Sequence, residues 1–216
     1  MFDFKDNFVT LVSANELEDT NNFTMSLIKM ISGINNNNVV LFDTNGTLND
    51  NYDTNISYIN NNFDELFKKI IDNMKMEYDV YVKDGYSNKT VKTYRNMVVV
   101  ISNFNKFLLK ISQETKENFF NMLEKIKDLQ TFDFILTDQV DNFKKIEYDK
   151  WYKTVVDNNY GIWVGSGIAD QTVIKTNIGF KKTNNEVPKG YGLVVRNTKT
   201  YLVNLVSEDK EGKNEQ

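Results

Sequence analysis

Phe8-Val9-Thr10-Leu11-Val12-Ser13-Ala14-Asn15-Glu16-Leu17-Glu18-Asp19-Thr20-Asn21 joins a short β-branched run to the start of an amphipathic stretch. Residues 8–13 read as a strand, and residues 20–31 as a helix with Phe23, Leu27, Ile28 and Ile31 on one face. The alternation continues along the chain. Further strand runs lie at 39–43, 97–102, 132–137 and 161–164. Helical periodicity occupies 63–76, where Phe63, Leu66, Phe67, Ile70, Ile71 and Met74 share a face, and 112–129, with Phe119, Phe120, Leu123 and Ile126. A fourth helix is expected over 139–156. Parallel strands need long crossover connections, and helices of this length supply them. The expected class is therefore α/β, a mainly parallel sheet flanked by helices.

Composition narrows the chemistry. With 216 residues, 40% hydrophobic and 13% aromatic, the chain has material for one substantial core. The formal net charge of -4 favours neither nucleic acid nor an anionic membrane surface. The absence of Cys excludes disulfides, thiol nucleophiles and cysteine-ligated zinc. The absence of His removes the commonest general base and metal ligand. Arginine occurs only as Arg95 and Arg196, both expected at the solvated surface, and the asparagine runs 35–38 and 60–62 read as loops and helix caps. No stretch approaches the roughly 20 apolar residues of a membrane span, and the first residues have no signal-peptide architecture.

After Trp163 the texture changes. Gly165, Gly167, Gly179, Pro188, Gly190 and Gly192 punctuate short β-type runs at 193–195 and 201–206, predicting a C-terminal β-hairpin that turns at Asn197-Thr198-Lys199. Residues 83–92 read as a flexible loop, Trp151 and Trp163 as core, 1–207 as one domain and 208–216 as a disordered charged tail.

A RecA-like nucleotide-binding fold keeps its phosphate loop, G-x-x-x-x-G-K-[ST], at the first strand-to-helix junction, where backbone amides cradle phosphates. Here both glycines are lost and the lysine is replaced by Asp19 or Thr20. Ser13, Glu18, Asp19, Thr20 and Asn21 are the degenerate positions, and Glu16, Glu18 and Asp19 would repel a triphosphate. The third strand, Met97-Val98-Val99-Val100-Ile101, is the kind that in such ATPases ends in an acid for magnesium and a glutamate for water. This chain offers Ser102 and Asn103, which supply neither charge nor base. No catalytic residue, nucleotide site or metal site is expected.

A competing signature is Val39-Val40-Leu41-Phe42-Asp43-Thr44-Asn45-Gly46-Thr47-Leu48, which resembles the first motif of haloacid-dehalogenase-type phosphatases. Asp43 would be its nucleophile, Ser102 its second motif, and Asp138 with Asp141 its magnesium ligands. Asn45 replaces the second carboxylate and cannot shuttle a proton. The plainer reading makes Asp43 the end of a strand leading into a turn, in which case Asp43→Asn keeps most of the turn's hydrogen bonding.

The segment Asn158-Asn159-Tyr160-Gly161-Ile162-Trp163-Val164-Gly165-Ser166-Gly167-Ile168-Ala169-Asp170-Gln171-Thr172-Val173-Ile174-Lys175 resembles the C-terminal part of FtsK/SpoIIIE-type ATPase domains, and more narrowly the last ATPase-like domain of EssC-type motors of type VII secretion. Ile168-Ala169-Asp170-Gln171 is similar to the family's Ile-Asp-Ser-Arg-like segment, with Gln171 where an arginine is common. Pro188-Lys189-Gly190-Tyr191-Gly192-Leu193-Val194-Val195 resembles its final hairpin, and residues 39–46 its second strand, which ends in an Asp-Pro-Lys-Gly-like turn.

The resemblance implies a RecA-like fold at the C-terminal end of a multi-ATPase chain, on the cytoplasmic side of the cell membrane, as a soluble domain of a membrane-anchored parent. It implies WXG-type or other type VII substrates as partners, neighbouring ATPase domains beside it in a hexamer, and no nucleic acid. ATP and magnesium would serve the parent's other domains, with no cofactor in this one. The expected role is substrate recognition or gating, with ring assembly or regulation as the alternative and phosphohydrolysis through Asp43 as the enzymatic one.

Overall fold

The computed structural model describes residues 7–33, 38–48, 52, 54–86, 97–129, 131–177, 187–188 and 191–204. The chain runs β1 (Val9–Ala14), α1 (Leu17–Gly33), β2 (Asn38–Asp43), β3 (Ile56–Ile59), α2 (Phe63–Lys83), β4 (Met97–Ser102), α3 (Phe104–Lys110) and α4 (Gln113–Ile126). It continues through β5 (Phe132–Gln139), α5 (Val140–Ile146), α6 (Lys150–Val155), β6 (Gly161–Val164), a single 3₁₀ turn (Ile168–Asp170), β7 (Tyr191–Arg196) and β8 (Lys199–Asn204).

Among the described residues eight strands form one sheet in the order β3-β2-β4-β5-β1-β6-β7-β8. From β3 to β6 all neighbours are parallel, and β7 and β8 add an antiparallel hairpin. All six residues of β1 are buried, as are five of six in β4. Central strands covered on both faces need such continuous burial.

The two faces carry separate cores. One packs Leu11, Phe42, Ile101 and Phe134 against α2, α3, α4 and α6, around an aromatic cluster in which Phe67 meets Phe107 and Phe119 at centroid distances of 4.8 Å. The other packs Val12, Leu41, Val100 and Ile135 under Phe23, Leu27, Ile28 and Ile31 of α1. Thr20 and Thr24 are also buried on α1, and each hydroxyl donates to a carbonyl one turn earlier, Thr20 Oγ1 to Leu17 O at 2.7 Å and Thr24 Oγ1 to Thr20 O at 2.6 Å.

Several boundaries differ from the sequence reading. Helix α1 starts at Leu17 rather than residue 20, which places Glu18 and Asp19 in its first turn, where acidic side chains oppose the helix dipole favourably. Helix α2 runs on to Lys83, so the loop expected at 83–92 starts with helix; its residues 87–92 lie outside the described residues. Residues 139–156 form two short helices rather than one, because the chain turns at Glu147-Tyr148-Asp149, with Asp149 N donating to Ile146 O. Strand β3 and helix α3 were not foreseen.

The hairpin turns on two residues, Asn197 and Thr198, with φ of 49° and 65°. A type I′ turn needs both in the left-handed region, so Lys199 belongs to the strand. Arg95, Gly179, Lys189, Gly190, residues 205–206 and the tail 208–216 lie outside the described residues.

Candidate functional site

In parallel α/β sheets, ligands bind beyond the carboxyl ends of the strands. At this edge β1 passes to α1 through Asn15 and Glu16 alone. A phosphate cradle needs a loop long enough to bulge and aim several amides at one point, and two residues do not make that loop. The junction is also tied to its neighbours. Asn15 Nδ2 donates to Ser166 O at 3.4 Å and Gln139 Nε2 to Asn15 O at 3.2 Å. Gly165 and Gly167 flank Ser166 with φ of 78° and 89°, and a Cβ at Gly167 would lie 2.8 Å from Asn15 Nδ2. The glycine turn after β6 thus rests directly on the β1–α1 link. Glu16 and Glu18 are exposed there.

The other degenerate positions are tied into the scaffold. Ser13 Oγ donates to Asp138 O at 3.1 Å, Thr20 bonds within its own helix, and Asn21 Nδ2 donates to Thr47 Oγ1 at 3.2 Å. At the end of β4, Ser102 is fully buried, and its carbonyl accepts Thr44 Oγ1 at 2.6 Å. Asn103 follows in a left-handed conformation (φ 54°, ψ 61°) and leads directly into α3.

Ser102 Oγ, Asn103 Nδ2 and Thr137 Oγ1 are buried without a hydrogen-bond partner among the described residues. Ser102 and Thr137 stand in register on adjacent strands, so their hydroxyls share the α1 face. Leaving a polar atom buried and unpaired is unfavourable, whereas an apolar side chain of the same shape is not. Ser102→Ala and Thr137→Val are each expected to stabilise the chain by about 0.5–1 kcal/mol, raising Tm by about 1–4 °C in thermal unfolding.

Asp43 is fully buried and both its oxygens are occupied. Oδ1 accepts the amides of Asn45 (3.2 Å) and Gly46 (3.0 Å), and Oδ2 accepts the amide of Leu48 (2.8 Å) and the Tyr58 hydroxyl (2.9 Å). Burial foremost, then the hydrogen bond and charge of Asp43, push the Tyr58 hydroxyl up to about 12. Asn45 Oδ1 accepts Lys106 Nζ at 2.5 Å. A carboxylate held by four donors closes a turn; it has no lone pair left to attack phosphorus.

The acids proposed for magnesium do not converge with it. Registers Asp43↔Ser102 and Ser102↔Thr137 put Asp43 on the α1 face, and Asp138, one residue on, points to the opposite face. Asp141 is exposed and pairs with Lys144 at 3.0 Å. Asp138 instead ties together the starts of two helices, accepting Asn105 N (2.7 Å) at α3 and Gln139 N (2.8 Å) and Asn142 Nδ2 (2.7 Å) at α5. Burial raises its carboxyl against the pull of these donors and of Lys145. Among the described residues no three acidic side chains gather as a metal site.

Trp151 and Trp163 are core residues, as expected. Trp151 stacks on Phe120 at 4.5 Å, and Trp163 Nε1 donates to Ser166 O at 3.2 Å, which helps hold the glycine turn over the β1–α1 link. Gln171 closes the next turn, Nε2 donating to Ile174 O (2.7 Å) and Oε1 accepting Ile174 N (2.8 Å). A groove of about 610 Å³ opens at the start of α2, lined by Asn60, Asn62, Phe63, Asp64, Glu65 and Lys110. Lys110 Nζ lies 4.6 Å from the Phe63 ring centre and donates to Thr44 O at 2.7 Å, which fixes one wall. Among the described residues no helix is long and apolar enough to cross a membrane.

A mostly parallel sheet with helices on both faces, one strand between β1 and β4, and an antiparallel hairpin after β6 is the RecA-like ATPase fold. More particularly, the chain is folded like the cytoplasmic ATPase domains of EssC and EccC. It matches the cytoplasmic domain of EssC with a TM-score of 0.67 at 12% identity, over 94% of this chain and 40% of that one. It matches Thermomonospora curvata EccC (ATPases 2 and 3), solved in complex with a signal sequence peptide, at 0.65 and 15% identity, over 94% and 37%. The pCW3 conjugation coupling protein TcpA, in its monomer form with ATPγS, matches at 0.62 and 14% identity, over 93% and 60%. The chain therefore spans about two fifths of the EssC structure, and at these identities the likeness is one of fold. No protein-family model matches the chain, and no curated protein matches it in sequence.

Proposed function

We propose that this chain is a non-catalytic ATPase-like module of a type VII protein secretion motor, acting in substrate recognition or gating of export. The observation that carries the reading is the β1–α1 junction, two residues long, acidic, and bonded through Asn15 to the turn at Gly165, Ser166 and Gly167, within a sheet whose core is complete. A junction this short and acidic, together with Ser102 and Asn103 in place of the metal-binding acid and the catalytic glutamate, argues against ATP turnover by this domain. Retention of the whole fold argues for a surface still in use.

The likeness to EccC solved with a signal sequence peptide supports a secreted WXG-type or other type VII protein as the partner. The share of the EssC structure spanned supports neighbouring ATPase domains in the same motor as further partners; in this reading ATP and magnesium serve those domains, on the cytoplasmic side of the membrane. Removing this module from its parent is expected to abolish or redirect export of particular substrates while ATP turnover by the remaining domains continues. Secretion profiling, ATPase assay and size measurement on the truncated parent check this. Loss of the oligomer together with loss of ATP turnover would replace recognition by ring assembly, and an unchanged secretion profile would remove both roles.

A further inference from the structure

Strand β8 forms one edge of the sheet, and among the described residues no strand pairs with its outer side. Natural edge strands are ordinarily blunted by prolines, bulges or charges along their length. Here Thr200-Tyr201-Leu202-Val203-Asn204 contains none of these; its one flanking charge is Lys199 beside the turn. Tyr201 is 53% and Leu202 56% exposed, two large apolar side chains adjacent on an open edge.

The two-residue turn fixes which backbone groups face outward. In such a hairpin the residues flanking the turn, Arg196 and Lys199, exchange both hydrogen bonds, and bonded pairs then alternate with unbonded ones. Val194↔Tyr201 and Gly192↔Val203 are bonded pairs, so Tyr201 and Val203 spend their amides and carbonyls on β7. Thr200, Leu202 and Asn204 aim theirs at the open edge.

We propose that this edge pairs with β8 of a second copy of the chain, antiparallel about a two-fold axis at Leu202, so that one sheet runs through both molecules. The strand is complementary to itself in that register. Leu202 faces Leu202 of the second copy, Thr200 faces Asn204, and the three outward residues of each strand exchange six backbone hydrogen bonds across the axis. Tyr201 meets Val203 of the second copy at the unbonded positions, where side chains approach closest, and an aromatic against a β-branched residue is a favourable cross-strand pair there. No charge lies within the paired five residues, so the two-fold axis brings no like charges together.

Sedimentation of the 216-residue chain across a concentration series tests this, with hydrogen exchange at the β8 amides as a second readout. The mass is expected to rise from that of one chain toward that of two, while the amides of Thr200, Leu202 and Asn204 become slower to exchange with concentration. Leu202→Pro removes an outward N–H without touching a bond to β7, and Leu202→Lys sets two ammonium groups face to face. Both side chains replace an exposed one, and both variants are expected to stay monomeric with the parent's circular dichroism. If the proline variant unfolds, the lysine variant carries the test. A parent chain that remains monomeric to about 1 mM overturns the proposal, as does dimerisation undiminished in the lysine variant. Protection of the β8 amides only when an extended peptide of another protein is added also overturns it and assigns the edge to that peptide.

Discussion

Replacing Asp43 with alanine is expected to destabilise the chain by about 3–4 kcal/mol, lowering Tm by roughly 10 °C, because three backbone amides and a tyrosine hydroxyl lose a buried acceptor together. The amides of Asn45, Gly46 and Leu48 cannot find other partners without opening the turn that seats Leu48, itself fully buried, in the α1-side core. Asp43→Asn is expected to fall between the parent and the alanine variant. An asparagine retains one carbonyl oxygen, which serves Asn45 and Gly46, but its amide nitrogen then faces the N–H of Leu48. Asparagine thus keeps part of the turn's hydrogen bonding, where the sequence leads one to expect most of it. Thermal or urea unfolding of the three proteins checks the order, and an alanine variant within 1 kcal/mol of the parent would show that the turn does not depend on this carboxylate.

The second large effect is expected at Gly192. An added Cβ would lie within 2.8 Å of the Phe23 ring, which is buried on α1 against β7, and the ring cannot withdraw without disturbing Leu27 and Val194 in the same core. Gly192→Val is expected to cost about 3 kcal/mol through overpacking, with Gly192→Ala losing less. Phe23→Leu in the valine background should recover part of the loss, since the smaller side chain vacates the colliding volume. Stabilities of the two single variants and the double variant measure the coupling directly. Additive losses would mean that the two residues do not meet.

Residues with one dominant environment were readable from the sequence. Strands β1, β2, β4 and β5 are buried on both faces and so appear as continuous apolar runs, and Phe23, Leu27, Ile28 and Ile31 announce α1 by spacing alone. Strand β3 escaped because Ile56-Ser57-Tyr58-Ile59 is four residues long and followed directly by asparagines. Helix α3 escaped because it spans two turns and its start is an asparagine in a left-handed conformation, which no periodicity signals. The break between α5 and α6 was hidden because Val140, Phe143 and Trp151 all turn inward and keep a helical spacing across it.

At the site, the missing glycines and lysine were visible, but the shortness of the junction was not. The signal that could have shown it is Glu18-Asp19, a pair of acids suited to a helix's first turn, which moves the helix start three residues earlier. The turn made by Asp43 was legible, its three amide partners lying two to five residues on, but Tyr58, 15 residues away on another strand, and Asn105, 33 residues from Asp138, were not. Such partners belong to the tertiary structure and have no local trace. Asp43 is the strand-end turn residue of the plainer sequence reading, and Asp138 is a hydrogen-bond anchor rather than a magnesium ligand.

A β1–α1 junction this short and acidic is expected to hold no triphosphate, which a nucleotide titration of the chain checks. A ligand that binds only the folded state raises its melting temperature in proportion to the logarithm of its concentration once saturating. The chain is expected to show no change in Tm with ATP and magnesium together beyond that seen with magnesium alone. A saturable, magnesium-dependent rise in Tm at submillimolar ATP would contradict it.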